Sequence, residues 1–110
     1  MAQMSKTEAV SMLQGLLACR GAWLARVVAV LAKRSEADRD SDAEDIAYAM
    51  GQCDEGAIGS VLEALAAVGL ALRFDREYSL AHDYFMTASA RNAVLFYGAN
   101  AALVKWLAAA

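Results

Sequence analysis

Apolar side chains recur at intervals of three, four and seven residues through the first third of the chain. They fall at Val10, Leu13, Leu17, Leu24, Val27 and Leu31. This spacing puts them on one face of a helix, so it predicts one or two helices over residues 7–34, which Gly15 and Gly21 are expected to bend or split. Residues 33–40 contain no large apolar side chain, and we predict a solvated loop there.

The segment after this loop carries the signals of a short helix. Ser41 and Glu44 have the spacing of a capping box, in which the side chain of each residue bonds the backbone amide of the other. A helix is therefore predicted over residues 42–50, and Gly51 is expected to end it because glycine readily adopts the positive φ of a helix stop. The small Ala47 on this helix allows a second helix to approach closely.

A second, stronger helix is predicted to begin at the N-cap candidate Asp54 and to end at Gly69. Its apolar positions are Ile58, Val61, Leu62, Leu65 and Val68. Residues 70–74 then alternate in character, residues 75–77 are polar and residues 78–80 favour β structure, which predicts a small hairpin. The hairpin side chains expected to complete the core are Leu70, Leu72, Phe74, Tyr78 and Leu80.

The last segment, residues 81–110, has helical periodicity again and is predicted to form C-terminal helices. The predicted fold is therefore mainly α: a winged helix-turn-helix with a small β-hairpin and extra N- and C-terminal helices. The length of 110 residues fits a single domain, in which residues 41–80 form the helix-turn-helix and the wing.

Three stretches carry a resemblance to a known family: DAEDIA (residues 42–47), CDEGAIGSVLEALAAVGL (residues 53–70) and YSL (residues 78–80). Together they resemble the N-terminal dimerisation domain of small-molecule O-methyltransferases, and the shape is also similar to MarR-like regulators. The resemblance implies a winged helix that binds no DNA and whose flanking helices, residues 21–34 and 93–107, interlock with a second subunit. The methyl-donor-binding domain of that family is missing, which implies that this chain alone transfers no methyl group.

Composition points to association as well. Hydrophobic residues make up 59% of the chain, and a domain this small buries only part of its surface, so we expect a partner chain to cover the rest. A homodimer or a heteromeric protein complex satisfies this expectation. The predicted interface residues are Trp23, Leu24, Val27, Leu31, Leu103 and Trp106.

Charge argues against the usual partner of a winged helix. The net charge is −3, and no basic residue lies between Gly51 and Leu72. The exposed face of the recognition helix is predicted to present Glu55, Gly56, Gly59, Ser60, Glu63 and Ala67, whereas DNA readers place Arg, Lys, Asn or Gln there. The alternative hypothesis is a DNA-binding regulator, which could respond to an apolar ligand held between its helices, with Arg73 and Arg76 of the wing as its nucleic-acid contacts.

Other chemistry is sparse. His82 is the only histidine, neither the cysteines Cys19 and Cys53 nor this histidine have zinc-binding spacing, and we expect no enzymatic activity, metal or cofactor. We expect both thiols to stay reduced in the cytoplasm, because the N-terminus has no signal-peptide pattern and no uninterrupted apolar run reaches the length of a membrane span. A third hypothesis is a stand-alone subunit that completes the pocket of a separately encoded methyltransferase.

Overall fold

The computed structural model describes residues 4–51, 54–75 and 83–87. These residues are mainly helical, with one small antiparallel hairpin. The elements are α1 (Lys6–Glu36), α2 (Ala43–Met50), α3 (Glu55–Ala67), β1 (Ala71–Asp75) and β2 (Asp83–Thr87). The mainly α class with a small hairpin is thus confirmed, whereas the predicted C-terminal helices beyond residue 87 lie outside the described residues.

Helix α1 is one long element with a break inside it. Ser5 caps its start by accepting a hydrogen bond from the Glu8 amide at 3.1 Å. Arg20 has non-helical angles, φ −139° and ψ 41°, directly before Gly21, so the bend predicted there is confirmed, whereas the helix is unbroken at Gly15. The helix continues to Glu36, so the loop predicted for residues 33–40 begins after Glu36 and not at residue 33. Polar residues of good helix propensity prolong the helix, and the cations Lys33 and Arg34 in its last turn favour the negative end of the helix dipole.

The capping box of α2 lies one residue later than predicted. The Asp45 amide donates to Asp42 Oδ1 at 2.8 Å, and the Asp42 amide donates to Asp45 Oδ2 at 3.1 Å. The Ser41–Glu44 box is wrong because the backbone of Ser41 is paired with Phe85 and its side chain is buried. The predicted stop is confirmed, since Gly51 has a φ of +67°.

Helix α3 follows the prediction closely. Asp54 occupies the N-cap position, although its side chain makes no capping hydrogen bond, and the chain leaves the helix through Gly69 at a φ of +82°. The side chains that α3 buries are Ile58, Val61, Leu62, Ala64 and Leu65. They pack against α1 and α2, so the core lies between the three helices.

Only the first strand of the hairpin lies where the sequence predicts it. Strand β1 matches the expected first strand, but the second strand is Asp83–Thr87, in a segment that we expected to be helical. The predicted second strand, residues 78–80, lies outside the described residues. Phe85 explains the difference: it is buried, it lies opposite Arg73 in the strand register, and aromatic residues favour the half-buried surface of a sheet.

Helix α1 is unusually long and apolar. It contains an 18-residue window with a mean hydropathy of 1.6, which makes it long and apolar enough to cross a membrane by length and composition. Within the chain, the α1 face that includes Leu13, Leu24, Val27 and Leu31 is buried, and α1 packs against α3, α2 and β2. The core helix of a soluble protein can have the length and composition of a membrane span, so these two properties do not show which of the two α1 is.

Candidate interaction surface

Ser41 joins three elements of the fold. Its amide donates to the Phe85 carbonyl oxygen at 2.9 Å, and the Phe85 amide donates to the Ser41 carbonyl oxygen at 2.8 Å. Its hydroxyl accepts a hydrogen bond from Arg34 Nε, and the whole residue is buried. Ser41 therefore acts as a one-residue strand on the side of β2 that β1 leaves open, and it ties the end of α1 to the hairpin. We call this group of contacts the Ser41 junction.

Arg34 makes its side-chain contacts within the Ser41 junction. Besides its bond to Ser41, its Nη2 lies 3.9 Å from Asp45 Oδ2, and Asp45 also closes the capping box of α2. A buried hydroxyl needs a hydrogen-bond partner, and Arg34 supplies one while it faces a carboxylate. This cation therefore serves the structure of the junction.

The outward face of α3 carries acidic and small side chains. Glu55 and Gly56 are exposed, and Gly59, Ser60, Glu63 and Ala67 are half-buried. The Ser60 hydroxyl donates back to the Gly56 carbonyl oxygen at 3.1 Å, so its donor is used within the helix. No lysine, arginine or histidine occurs between Ser41 and Leu72 in the sequence, so α2 and α3 bring only negative charge to this surface.

Arg73, the first of the two predicted nucleic-acid contacts, lies in β1 and is bound to α3. Its Nη2 donates to Glu63 Oε1 at 3.1 Å, and its guanidinium carbon lies 5.5 Å from the centroid of the Phe85 ring. Both members of the Arg73–Glu63 pair are partly exposed. This cation is thus paired with a carboxylate of that face. Arg76, the other predicted nucleic-acid contact, lies outside the described residues.

The predicted interface residues do not form one exposed surface. Leu24, Val27 and Leu31 are buried in the core of their own chain, and their part in an interface stays a prediction. Trp23 is half-buried, and the Arg20 guanidinium carbon lies 4.2 Å from its ring centroid. Leu103 and Trp106 lie outside the described residues. Helical periodicity identified a buried face correctly, but it does not reveal whether that face is covered by the same chain or by another.

The hairpin exposes a side chain that was expected in the core. Leu72 is 48% exposed, whereas Ala71 beside it is buried. Arg73 lies opposite Phe85 across the two strands, and Phe85 is buried. Arg73 and Ala71 therefore lie on the side of β1 that faces the helices, and Leu72 lies on the other side, which is the reverse of the predicted alternation. Of the large hydrophobic side chains in the described part of the chain, only Leu72 and Tyr48, at 89%, are exposed.

A small pit lies beside Leu72. It has a volume of about 180 Å³ and lies between the end of α3, the start of β1 and the N-terminal segment. Its lining residues are Met4, Glu63, Ala66, Ala67, Ala71, Leu72 and Arg73. We call it the α3–β1 pit. The alanines explain the space, because a methyl group is the whole side chain at three of its positions.

The cysteines and the histidine considered for chemistry are not brought together in the described part of the chain. Cys19 is exposed on α1, and Cys53 and His82 lie outside the described residues. In residues 4–51, 54–75 and 83–87, no three His, Cys, Asp or Glu side chains are grouped in a way that could hold a metal ion. Comparisons with models of known families, with curated proteins and with solved structures found no match.

Proposed function

We propose that this chain is a non-catalytic winged-helix module of the cytoplasm that binds a second copy of itself, or another protein, and does not bind DNA. The element order supports the winged-helix part of this proposal. Helix α1 is followed by the Ser41 bridge, by α2, Gly51 and α3, and then by the hairpin. Because Ser41 pairs with β2, the hairpin is joined to the segment between the first two helices, as a wing that packs on a helix-turn-helix requires.

The observation that carries the functional proposal is the charge of the outward face of α3. DNA presents a negative charge about every 1.7 Å along its axis, so a recognition surface gains affinity from cations and loses it from carboxylates. Here the face contains Glu55 and Glu63, and the guanidinium of Arg73 is already bound by Glu63. A duplex placed against this face would meet repulsion from Glu55 and would have to compete for Arg73.

The role in association is supported by the apolar excess of the chain, 59% hydrophobic residues in 110. We place α1 in this module and not across a membrane, because its face of Leu13, Leu24, Val27 and Leu31 is covered by the other elements. Only 28% of its most apolar 18-residue window is buried, so in this proposal a partner chain covers part of the rest. Of the residues first proposed for the interface, Trp23 alone is described and partly accessible.

The second candidate function is a DNA-binding regulator, and the helix-turn-helix with its adjoining hairpin favours it. In that case the wing would approach the duplex backbone through Arg73 and Arg76. The Glu63–Arg73 pair would have to open, and α3 would make few direct contacts with base edges.

A titration of labelled mixed-sequence duplex with the full chain, followed by fluorescence anisotropy at low and moderate salt, tests the proposal. We expect binding weaker than the roughly 10⁻⁴ to 10⁻⁶ M of non-specific DNA binders. The variant Glu55→Lys with Ser60→Lys, which places cations on the same face, is expected to gain salt-dependent binding. Saturable, sequence-dependent binding of the unaltered chain below micromolar concentration would support the regulator instead.

A further inference from the structure

Charge is divided between the helices of this chain. From residue 9 to residue 35, which includes most of α1, the sequence contains four basic residues and no acidic one. From residue 42 to residue 72, which includes α2 and α3, it contains six acidic residues and no basic one. A chain with a net charge of −3 therefore has one basic helix and two acidic ones.

Two cations of α1 are not used within the chain. Arg26 and Lys33 are exposed and lie seven residues apart, so they share one face of the helix. Neither side chain forms a hydrogen bond or an ion pair in the part of the chain that the structure describes, whereas Arg34 binds at the Ser41 junction. Ala29 lies between them along the helix, and its short side chain leaves space there. We call Arg26 and Lys33 the α1 cations.

Helix α2 presents the opposite chemistry. Glu44 and Tyr48 lie one turn apart on it and are both exposed, and the carboxylate of Glu44 has no ion-pair partner among the described residues. Tyr48 is 89% exposed, although tyrosine is a residue that protein interfaces favour and whose ring attracts cations. We call these two residues the α2 patch. A carboxylate beside an aromatic ring suits a basic surface and repels a copy of itself.

The α1 cations and the α2 patch lie on neighbouring helix ends. The Nη2 atom of Arg34, the residue after Lys33, is 3.9 Å from Oδ2 of Asp45, the residue after Glu44. The last turn of α1 therefore meets the first turn of α2 at the Ser41 junction. Two adjacent surfaces of opposite charge are complementary to themselves, because a two-fold rotation places each one against the opposite surface of the other copy.

We propose that two copies of this chain associate beside the Ser41 junction, with the α1 cations of each copy against the α2 patch of the other. The second copy is the occupant because α2 itself supplies the carboxylate and the aromatic ring that match these cations. The contact also covers part of the exposed surface of α1. The inference rests on the proposed function in that it requires self-association, and it adds the surfaces that meet.

Sedimentation equilibrium of the full chain measures how single changes alter the dimer dissociation constant. Arg26→Glu reverses one of the α1 cations, and we expect it to raise this constant at least about tenfold. Tyr48→Ala removes the ring of the α2 patch, with an expected rise of about tenfold or more. Lys6→Glu is the matched control. It makes the same change of charge at another exposed cation of α1, about 30 Å away along the helix, and should keep the constant within about threefold.

A mixture of two variants tests which surfaces meet. Arg26→Glu and Glu44→Lys each bring like charges together when the variant pairs with itself. In a mixed pair one contact is unaltered and the other has both charges exchanged, so each contact joins opposite charges. We expect each variant alone to dimerise at least about tenfold more weakly than the unaltered chain, and the mixture to recover to within about fivefold of it.

The outcomes separate this contact from self-association. A folded monomer of the unaltered chain at high micromolar concentration would overturn both. A dimer that Arg26→Glu weakens no more than Lys6→Glu does, or a mixture no tighter than its separate variants, would overturn the contact and leave self-association standing. If Arg26→Glu or Glu44→Lys fails to fold, as judged by circular dichroism, Tyr48→Ala decides: weakening of about tenfold supports the contact, and an unchanged dissociation constant overturns it.

Discussion

The Ser41 junction and the outward face of α3 use polar residues in opposite ways. At the junction, Arg34, Ser41, Asp42 and Asp45 bond to one another and to the backbone, and together they fix α1, α2 and the hairpin relative to each other. On the outward face of α3, the side chains are small or acidic, and Glu63 is bound to Arg73 of the hairpin. Polar contacts thus hold the helices and the hairpin together at one place, whereas the outward face of α3 carries acidic and small side chains, which by our proposal do not attract DNA.

The largest effect should separate the inward and outward sides of α3. Leu62→Ala removes a fully buried side chain and is expected to lower the free energy of unfolding by about 3 kcal/mol. Glu55→Ala on the exposed side should change it by no more than about 0.5 kcal/mol. Denaturant unfolding measures both, and similar losses would mean that α3 does not face the core as described.

Two glycines should respond with opposite sign. Gly51 ends α2 at a positive φ, so Gly51→Ala is expected to cost about 1–2 kcal/mol. Gly56 lies in α3 with nothing within 4 Å of an added Cβ, so Gly56→Ala should stabilise the chain by up to about 1 kcal/mol. Thermal unfolding distinguishes the two changes. A destabilising Gly56→Ala would indicate a close contact at that face.

The two helix starts provide a third comparison. Asp42→Ala removes half of the capping box of α2 and is expected to cost about 1 kcal/mol. Asp54 makes no capping hydrogen bond to α3, so Asp54→Ala should cost clearly less than Asp42→Ala. Equal losses in denaturant unfolding would contradict the observed difference in capping.

The smallest effect concerns the contact between the hairpin and α3. A double-mutant cycle of Arg73→Ala and Glu63→Ala should give a coupling energy of about 0.2–1 kcal/mol, because the pair is partly exposed and screened by solvent. The coupling should fall as salt is raised. A coupling energy of zero at low salt would show that Arg73 is not held by α3 in solution.

Local signals in the sequence predicted most of the helices. The periodicity of α3, the glycine stops at Gly51 and Gly69 and the bend near Gly21 all depend on neighbouring residues, and the structure confirms them. The cap of α2 and the position of β2 depend instead on the pairing of Ser41 with Phe85, which are far apart in the sequence. No local pattern contains that information.

The candidate surface could likewise be predicted from the sequence only in part. The acidic character of the outward face of α3 follows directly from the sequence, because its helical register was correct. The exposure of Leu72 does not, since a strand alternates in the same way whichever side faces the core, and only the pairing with Phe85 selects the side. The burial of Leu24, Val27 and Leu31 by their own chain likewise depends on tertiary packing.

The most direct test of the central claim is sedimentation velocity of the full chain mixed with a fluorescently labelled duplex at low salt. Absorbance follows the protein, and fluorescence follows the DNA in the same cell. We predict that at micromolar concentration the protein sediments as a dimer and the duplex sediments as if no protein were present. A duplex that moves with the protein would contradict the proposed function, and a protein that remains monomeric would contradict self-association.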